Sequence, residues 1–216
     1  MQKLFENWRI YVEQQEAGKT LSGVHDKKRP YAAYVPSELD RSKPVNVVLY
    51  FHGKYAPGKF DYKKRLQKLI PHLPKKDNVI LVVPFMGADP QRTPTLSQDF
   101  LGMLASSLAS DYSFEIGELT LMGHSAGGKS MSKFLLSLSD SELAKVTVTY
   151  LDATYGYPAT GAVVRRMRKL GLIKNVKFVT AGRGKTLRKV QRFKSSGAEI
   201  VSKPRLRHAD LEVPVD

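Results

Sequence analysis

The sequence contains no cysteine, and this is the first of several absences that narrow its function. Without thiols the chain cannot form disulfides, thiolate metal sites or a cysteine nucleophile, so covalent chemistry must use another side chain. It has no run of about 18 apolar residues that could span a membrane, and its first residues lack the apolar core of a secretory signal. We therefore expect a cytoplasmic protein, or an exported one if a signal peptide has been trimmed from this chain.

Repeats, low-complexity tracts and flexible linkers are also absent, so nothing in the sequence divides the chain. Its 216 residues are enough to bury a core, and 42% hydrophobic with 25% charged residues is ordinary for a folded protein. We expect one α/β domain over residues 1–216, with residues 1–28 as an N-terminal extension. In that extension Leu4, Trp8 and Tyr11 favour a helix that ends near Gly18, although the Trp, Ile, Tyr and Val residues there would also suit a strand.

Apolar runs rich in β-branched residues alternate with helical patterns along the rest of the chain. The predicted strands are Arg29–Val35, which could form a hairpin with Thr20–Val24, then Val45–Phe51, Asn78–Val83, Glu118–Met122, Lys145–Leu151, Asn175–Thr180 and Glu199–Ser202. Helical spacing of apolar residues lies between them, within 96–108, 131–138 and 163–170. This alternation predicts a mostly parallel, doubly wound sheet with helices on both faces.

Ser125 lies between Gly123 and Gly127, after an apolar strand and before an amphipathic helix. This context is typical of a nucleophile elbow, a sharp turn in which the residues two before and two after the serine must be small. The hydroxyl would lie at a helix N-terminus, where the backbone favours the negative charge that develops during acyl transfer. The pattern predicts that Ser125 is a nucleophile; a plain strand-to-helix turn is the alternative.

A serine nucleophile needs a base, and the base needs a group that orients it. His208 is the only histidine after Ser125, which makes it the candidate base. Four acids lie between the two, and only Asp152 directly follows a strand, at the sheet edge where Ser125 is expected. We therefore predict Asp152 as the orienting acid. A lone surface histidine and an aspartate that caps a turn are the alternatives.

The strand Asn46–Phe51 runs into His52 and Gly53, and a glycine there lets the backbone approach a substrate carbonyl oxygen. We assign the oxyanion-hole donors as the backbone N–H groups of Lys54 and Ala126, the second being the residue after the nucleophile. A simple turn at the end of the strand is the alternative.

In chain order these motifs resemble the α/β-hydrolase superfamily, and the segments RPYAAYVP and VVLYFHG are similar to feruloyl esterases and polyhydroxyalkanoate depolymerases. The resemblance implies an α/β-hydrolase fold and cleavage of esters at an open site. Many members carry the acid after the next strand, but here that stretch, 181–186, holds no carboxylate, which leaves Asp152. The short connection after Asp152 leaves no room for a cap domain, and Tyr155 and Tyr157 within it could line the substrate pocket or simply pack.

Other functions stay open at this point. The same three residues could cleave amides, peptides or thioesters. The net charge of +15 favours polyanions, so a basic binding module on a hydrolase fold is an alternative. Its contacts would be Lys63, Lys64, Arg65 and Lys68, or Arg183, Lys185, Arg188, Lys189 and Arg192. Nucleotide binding by Val179–Thr186 is disfavoured because the first glycine of a phosphate-binding loop is missing.

The expected partners follow from the hydrolase interpretation. We expect a small-molecule or polymer-linked ester as substrate, and the +15 charge favours an anionic one. We expect no cofactor, no metal and no obligatory nucleic-acid partner.

Overall fold

The computed structural model describes most of the chain, namely residues 13–15, 18–25, 29–40, 42–55, 61–73, 78–87, 90, 96, 99–109, 115–153, 157–182 and 185–213. The strands in this part of the chain are β1 (Glu13–Gln15), β2 (Gly18–His25), β3 (Arg29–Pro36), β4 (Val45–Phe51), β5 (Val79–Pro84), β6 (Ile116–His124), β7 (Val146–Leu151), β8 (Val176–Thr180) and β9 (Glu199–Ser202). They form one sheet in the order β1-β2-β3-β5-β4-β6-β7-β8-β9.

The first part of the sheet is antiparallel. β2 and β3 form the predicted hairpin, in which Ser22 is opposite Ala32, and β3 pairs antiparallel with β5. The helix expected to end near Gly18 is wrong for residues 13–15, because these pair with β2 as the short edge strand β1. Extended pairing satisfies their backbone groups by joining them to the hairpin. The apolar face of that predicted helix lies outside the described residues.

From β5 to β9 the sheet is parallel, which confirms the predicted doubly wound architecture. Successive residues of β4 point to opposite faces, so Leu49 and Phe51 pack into one core while Val48 and Tyr50 pack into the other. Central parallel strands are covered on both faces, and this explains why they read as continuous apolar runs.

The helices are α1 (Tyr62–Leu69), α2 (Phe100–Ala109), α3 (Gly127–Ser137), α4 (Asp140–Leu143), α5 (Tyr157–Lys169) and α6 (Lys185–Gln191), with 3₁₀ helices at Ile70–His72, Ile173–Asn175, Lys194–Ser196 and His208–Glu212. Phe100, Phe134 and Met167 bring α2, α3 and α5 into one core, together with Val190 of α6. α1 and the last 3₁₀ helix pack into the core on the opposite face. Helices therefore cover both faces of the sheet, as expected.

Two features of this layout bear on the site. The ends of β4, β6 and β7 meet at one edge, the carboxyl edge of the parallel strands, where ligands bind in open α/β sheets. β7 is followed only by α5 and a 3₁₀ helix before β8 begins, so the described part of this connection contains no cap domain.

No helix among the described residues is both long and apolar enough to cross a membrane.

Candidate active site

Ser125 occupies a tight turn between β6 and α3. Its φ of 51° lies in the left-handed region, which costs a non-glycine residue about 1–3 kcal/mol and persists only where the surroundings enforce it. Its N–H donates to the carbonyl of Leu151 at 3.0 Å, which extends the β6–β7 pairing into the turn. The side chain is 8% exposed and lies at the N-terminus of α3. This is the geometry of the predicted elbow.

The predicted elbow glycines allow this turn to pack closely. A Cβ at Gly127 would collide with the backbone carbonyl oxygens of Phe51 and His52, at the end of β4. A Cβ at Gly123 would lie 3.0 Å from the Cα of Gly128. Gly127 is therefore required for the close approach between backbones, and Gly123 leaves only tight room for a side chain.

Gly53 brings the end of β4 against the elbow. A Cβ at this position would lie 3.2 Å from the Cβ of Ser125 and 2.9 Å from Nδ1 of His124. The backbone of Gly53 therefore passes close beside Ser125. Ala126, the other predicted donor, is 2% exposed and is the N-cap of α3.

His52 fixes the orientation of the Gly53 peptide. The N–H of Met86 donates to Nε2 of His52 at 3.0 Å, so the ring proton is on Nδ1, which donates to the carbonyl of Gly53 at 2.6 Å. Because the peptide bond is planar and trans, fixing that carbonyl also fixes the direction of the Lys54 N–H. His52 is fully buried, and burial lowers its pKa to about 4, although the hydrogen bond to Gly53 opposes the shift. The ring is therefore neutral at neutral pH.

Asp152 directly follows β7, at the sheet edge predicted for it. Its φ of 45° is also left-handed, and its N–H donates to the carbonyl of Val179 at 2.7 Å. Its side chain is 7% exposed. Oδ1 is buried and has no hydrogen-bond partner among the described residues, which leaves Oδ2 as the oxygen that makes the contact described next.

His208 meets Asp152 from the far end of the chain. Its Nδ1–H donates to Oδ2 of Asp152 at 2.5 Å across 56 residues of sequence. His208 begins the terminal 3₁₀ helix (His208–Glu212), and its side chain is 43% exposed while that of Asp152 is nearly covered. The hydrogen bond uses Nδ1, so in the neutral ring the proton is on Nδ1 and Nε2 carries none.

His124, next to Ser125 in the elbow, also contacts His208. The two rings lie 4.8 Å apart between centroids, tilted by 35°, and Nε2 of His124 lies 3.1 Å from the backbone oxygen of His208. Burial, followed by the nearby His208 ring, lowers the pKa of His124 to about 4. No sequence pattern indicated this contact, because it joins residues 84 positions apart.

The other end of the terminal 3₁₀ helix is held by β4 and α1. The hydroxyl of Tyr50 donates to the backbone oxygen of Glu212 at 2.7 Å, and Arg65 donates to Oε2 of Glu212 at 2.9 Å. Partial burial raises the pKa of Glu212, but Arg65, His124 and Lys68 together outweigh it, so the net pKa is lowered. The Arg65 guanidinium also lies 5.3 Å from the Tyr55 ring centroid. The sequence interpretation missed this network.

The buried position of Arg65 corrects one sequence interpretation. The sequence predicts that basic residues within 63–68 could contact a polyanion. This prediction is wrong for Arg65, which is 5% exposed and pairs with Glu212. The helix folds that way because one side of α1 packs Leu66 and Leu69 into the core, which turns Arg65 inward beside them. Only part of that run is therefore available to a partner.

The acids rejected from the sequence have structural partners elsewhere. Asp140 pairs with Arg166 at 2.6 Å, Glu142 closes a capping box with Ser139, and Glu199 lies 3.5 Å from Lys177. Of these four acids, only Asp152 is hydrogen-bonded to His208.

Two predicted residues stay untested, and the described residues offer no metal site. Tyr155 lies outside the described residues, and Tyr157 begins α5 without a described side chain.

No cluster of three or more His, Asp or Glu side chains suited to a metal occurs in the described part of the chain. A groove of about 720 Å³, lined by Asn46, Glu118 and Lys145 among others, lies at the opposite edge of the sheet, away from Ser125.

The sheet order, the elbow after β6 and the polar residues at the carboxyl edge together define an α/β-hydrolase fold. No protein-family model and no curated protein sequence matches the chain. Solved structures do match. An IroE-like serine hydrolase from Shewanella oneidensis is 17% identical with a TM-score of 0.59, over 89% of this chain and 76% of its own.

Two further structures are similar over most of their length. The feruloyl esterase module from Clostridium thermocellum, complexed with sinapinate, is 13% identical with a TM-score of 0.54, over 94% of this chain and 82% of its own. A poly(3-hydroxybutyrate) depolymerase from Bordetella parapertussis is 13% identical with a TM-score of 0.51, over 94% of this chain and 86% of its own. At these identities the likeness establishes the fold and no more.

Proposed function

We propose that this protein is a serine hydrolase that cleaves a carboxylic ester through an acyl-enzyme. The observation that carries the proposal is the hydrogen bond between His208 and Asp152, formed beside an elbow that holds Ser125 in a left-handed turn. A base with an orienting acid next to a constrained serine is what nucleophilic acyl transfer requires.

In the proposed reaction Nε2 of His208 accepts the proton of Ser125 as Oγ forms a bond to the ester carbonyl carbon. The carbonyl oxygen becomes an oxyanion and accepts hydrogen bonds from the N–H groups of Lys54 and Ala126. As the carbon–oxygen bond to the leaving alcohol breaks, His208 returns the proton to that alcohol. Water then repeats the sequence on the acyl-enzyme and releases the acid, while Asp152 stabilises each imidazolium.

The choice of an ester is supported by the structures of similar fold, two of which are described as a feruloyl esterase and a poly(3-hydroxybutyrate) depolymerase. The same residues would also serve an amide or a thioester. The basic charge of the chain favours an ester whose acyl or alcohol part is anionic.

A fluorophosphonate probe tests the proposal, because it reacts only with an activated serine. We expect labelling of the parent protein and of Ser141→Ala, an exposed serine on α4, and none of Ser125→Ala. Parallel assays with aryl ester, anilide and thioester forms of one acyl group should give turnover of the ester at least ten times faster than the anilide. Equal labelling of the parent and Ser125→Ala would contradict the proposal.

A second candidate function, polyanion binding, is favoured by one specific observation. The sequences of α5 and α6 contain no acid, and both helices lie on the same face of the sheet. Seven exposed cations lie on these helices, on the 3₁₀ helix after them or in the turn that joins α6 to it, namely Arg165, Arg168, Lys169, Arg188, Lys189, Arg192 and Lys194. Such a surface gains from counterion release on a linear polyanion.

Retention on heparin as a function of salt tests the second candidate. Replacing Arg188 and Arg192 together by neutral residues should lower the salt concentration at which the protein elutes. Ser125→Ala should leave that concentration unchanged. Elution of the parent well below physiological salt, or an unchanged elution of the double variant, would show that the charge has no such partner.

A further inference from the structure

His124 takes no part in the proposed reaction, yet it contacts the proposed base directly. Its Nε2 lies 3.1 Å from the backbone oxygen of His208, and its ring is tilted against the His208 ring. It is 5% exposed and is the last residue of β6, directly before Ser125. A polar side chain buried at this point needs an explanation beyond filling space.

The protonation of His124 follows from its partners. A carbonyl oxygen can only accept, so Nε2 must carry the ring proton that it donates to His208. With a pKa near 4 the ring holds a single proton at neutral pH. Nδ1 is therefore unprotonated, and it faces Gly53, where an added Cβ would lie 2.9 Å away.

The base needs such support because its own side chain is only partly covered. Asp152 fixes the rotation of the His208 ring through Nδ1, but it does not fix the backbone that carries the ring. Tyr50 and Arg65 hold the far end of the terminal 3₁₀ helix, at Glu212. His124 contacts the near end by a hydrogen bond to the backbone oxygen of His208.

We propose that His124 is a positioning residue, which holds the His208 backbone so that Nε2 of His208 stays within reach of Ser125. The inference rests on the proposed function. A misplacement of about 1 Å at a reacting group can lower the rate about 100-fold, so the loss of this hydrogen bond should act on turnover more than on substrate binding.

Two variants of nearly equal shape separate hydrogen bonding from packing. His124→Gln keeps an N–H donor at a similar reach, while His124→Met has the same length and no donor. We expect His124→Met to lower kcat about 10- to 100-fold and His124→Gln to keep it within about threefold. KM should change little in either variant. Equal kcat in two folded variants would overturn the proposal.

A measurement on the unmodified protein keeps the inference testable if the variants fail to fold. Nitrogen-15 NMR of the imidazoles should show His124 with its proton on Nε2, in slow exchange with solvent. A proton on Nδ1, or a ring that exchanges freely, would overturn it. Failure of the proposed function is recognised separately, because the parent would then not react with the fluorophosphonate probe.

Discussion

The imidazole of His208 is hydrogen-bonded through Nδ1 to Oδ2 of Asp152 at 2.5 Å, although 56 residues separate them in the chain. The acid is nearly covered and the base is exposed by 43%, so each has the environment that its proposed role needs. The acid is held away from water, and the base is partly open to solvent.

The first prediction concerns this pair. In Asp152→Asn the amide can present an N–H to His208, which favours the tautomer that cannot accept the Ser125 proton. We expect kcat to fall by about 10,000-fold, as for this change in other serine hydrolases with this constellation, with little change in Tm. Steady-state kinetics of ester hydrolysis measure the fall in kcat. The control is Asp140→Asn, which removes a carboxylate on exposed α4 and should leave kcat unchanged.

The second prediction compares two glycines. Gly127→Ala places a methyl group against the carbonyls of Phe51 and His52, which are backbone atoms that cannot turn aside. We expect a loss of about 3 kcal/mol or more in the free energy of unfolding, measured with urea. Gly102→Ala is the matched change on α2, where an added Cβ meets nothing within 4 Å. It should stabilise by about 0.5–1 kcal/mol.

The third prediction concerns the buried ion pair of Arg65 and Glu212. Glu212→Met leaves the Arg65 guanidinium buried beside the Tyr50 and Tyr55 rings without its carboxylate, and we expect a loss of about 2–4 kcal/mol. Replacing both partners by Met should cost clearly less than the sum of the two single changes. Urea titrations of the four proteins measure the coupling. Strictly additive losses in the free energy of unfolding would contradict the predicted coupling.

An exposed pair serves as the control for that cycle. Lys43 and Asp40 lie 2.9 Å apart with side chains 68% and 40% exposed. Because solvent screens such a pair, Lys43→Met should change the free energy of unfolding by less than about 1 kcal/mol.

The fourth prediction is a loss of stability in acid. His52 and His124 are buried as neutral rings with pKa values of about 4, below about 6.5 in the unfolded chain. Between these values the unfolded chain binds more protons, so their contribution is complete above pH 6.5 and is lost as the pH falls towards 4. The loss is on the order of 3 kcal/mol for each ring.

Thermal unfolding between pH 4 and 8 tests the fourth prediction. His124→Gln should flatten the fall in Tm over the acid range, because glutamine does not titrate. His72→Gln removes an exposed histidine from the 3₁₀ helix after α1 and should leave the slope as it is in the parent. A parent Tm that is constant from pH 7 to 4 would contradict the prediction.

Much of the fold follows from local patterns in the sequence. The predicted strand Val45–Phe51 matches β4 at both ends, because residues buried on both faces form a continuous apolar run. Asp152 could be placed because parallel strands end at a common edge, and His208 because no other histidine follows Ser125. These inferences need only order along the chain.

The rest depends on contacts between distant segments, which leave no local pattern. Arg65 lies in a basic run that resembles a solvated helix face, and its partner Glu212 is 147 residues away. β1 is three residues long and is held by pairing with β2, so side-chain periodicity could not separate it from a helix. The contact between His124 and His208 could not be predicted for the same reason, because the sequence neighbours of His124 explain only its place in the elbow.

The location of His208 on the terminal 3₁₀ helix has a consequence for synthesis. Ribosomes add about 5–20 residues each second, so His208 is made about 3–11 seconds after Asp152. Until then the nascent chain contains the proposed nucleophile and its orienting acid but no base. The 3₁₀ helix that His124 and Arg65 contact has not yet been made. In the proposed reaction, a growing chain could therefore not activate Ser125 until the residues after β9 have been added.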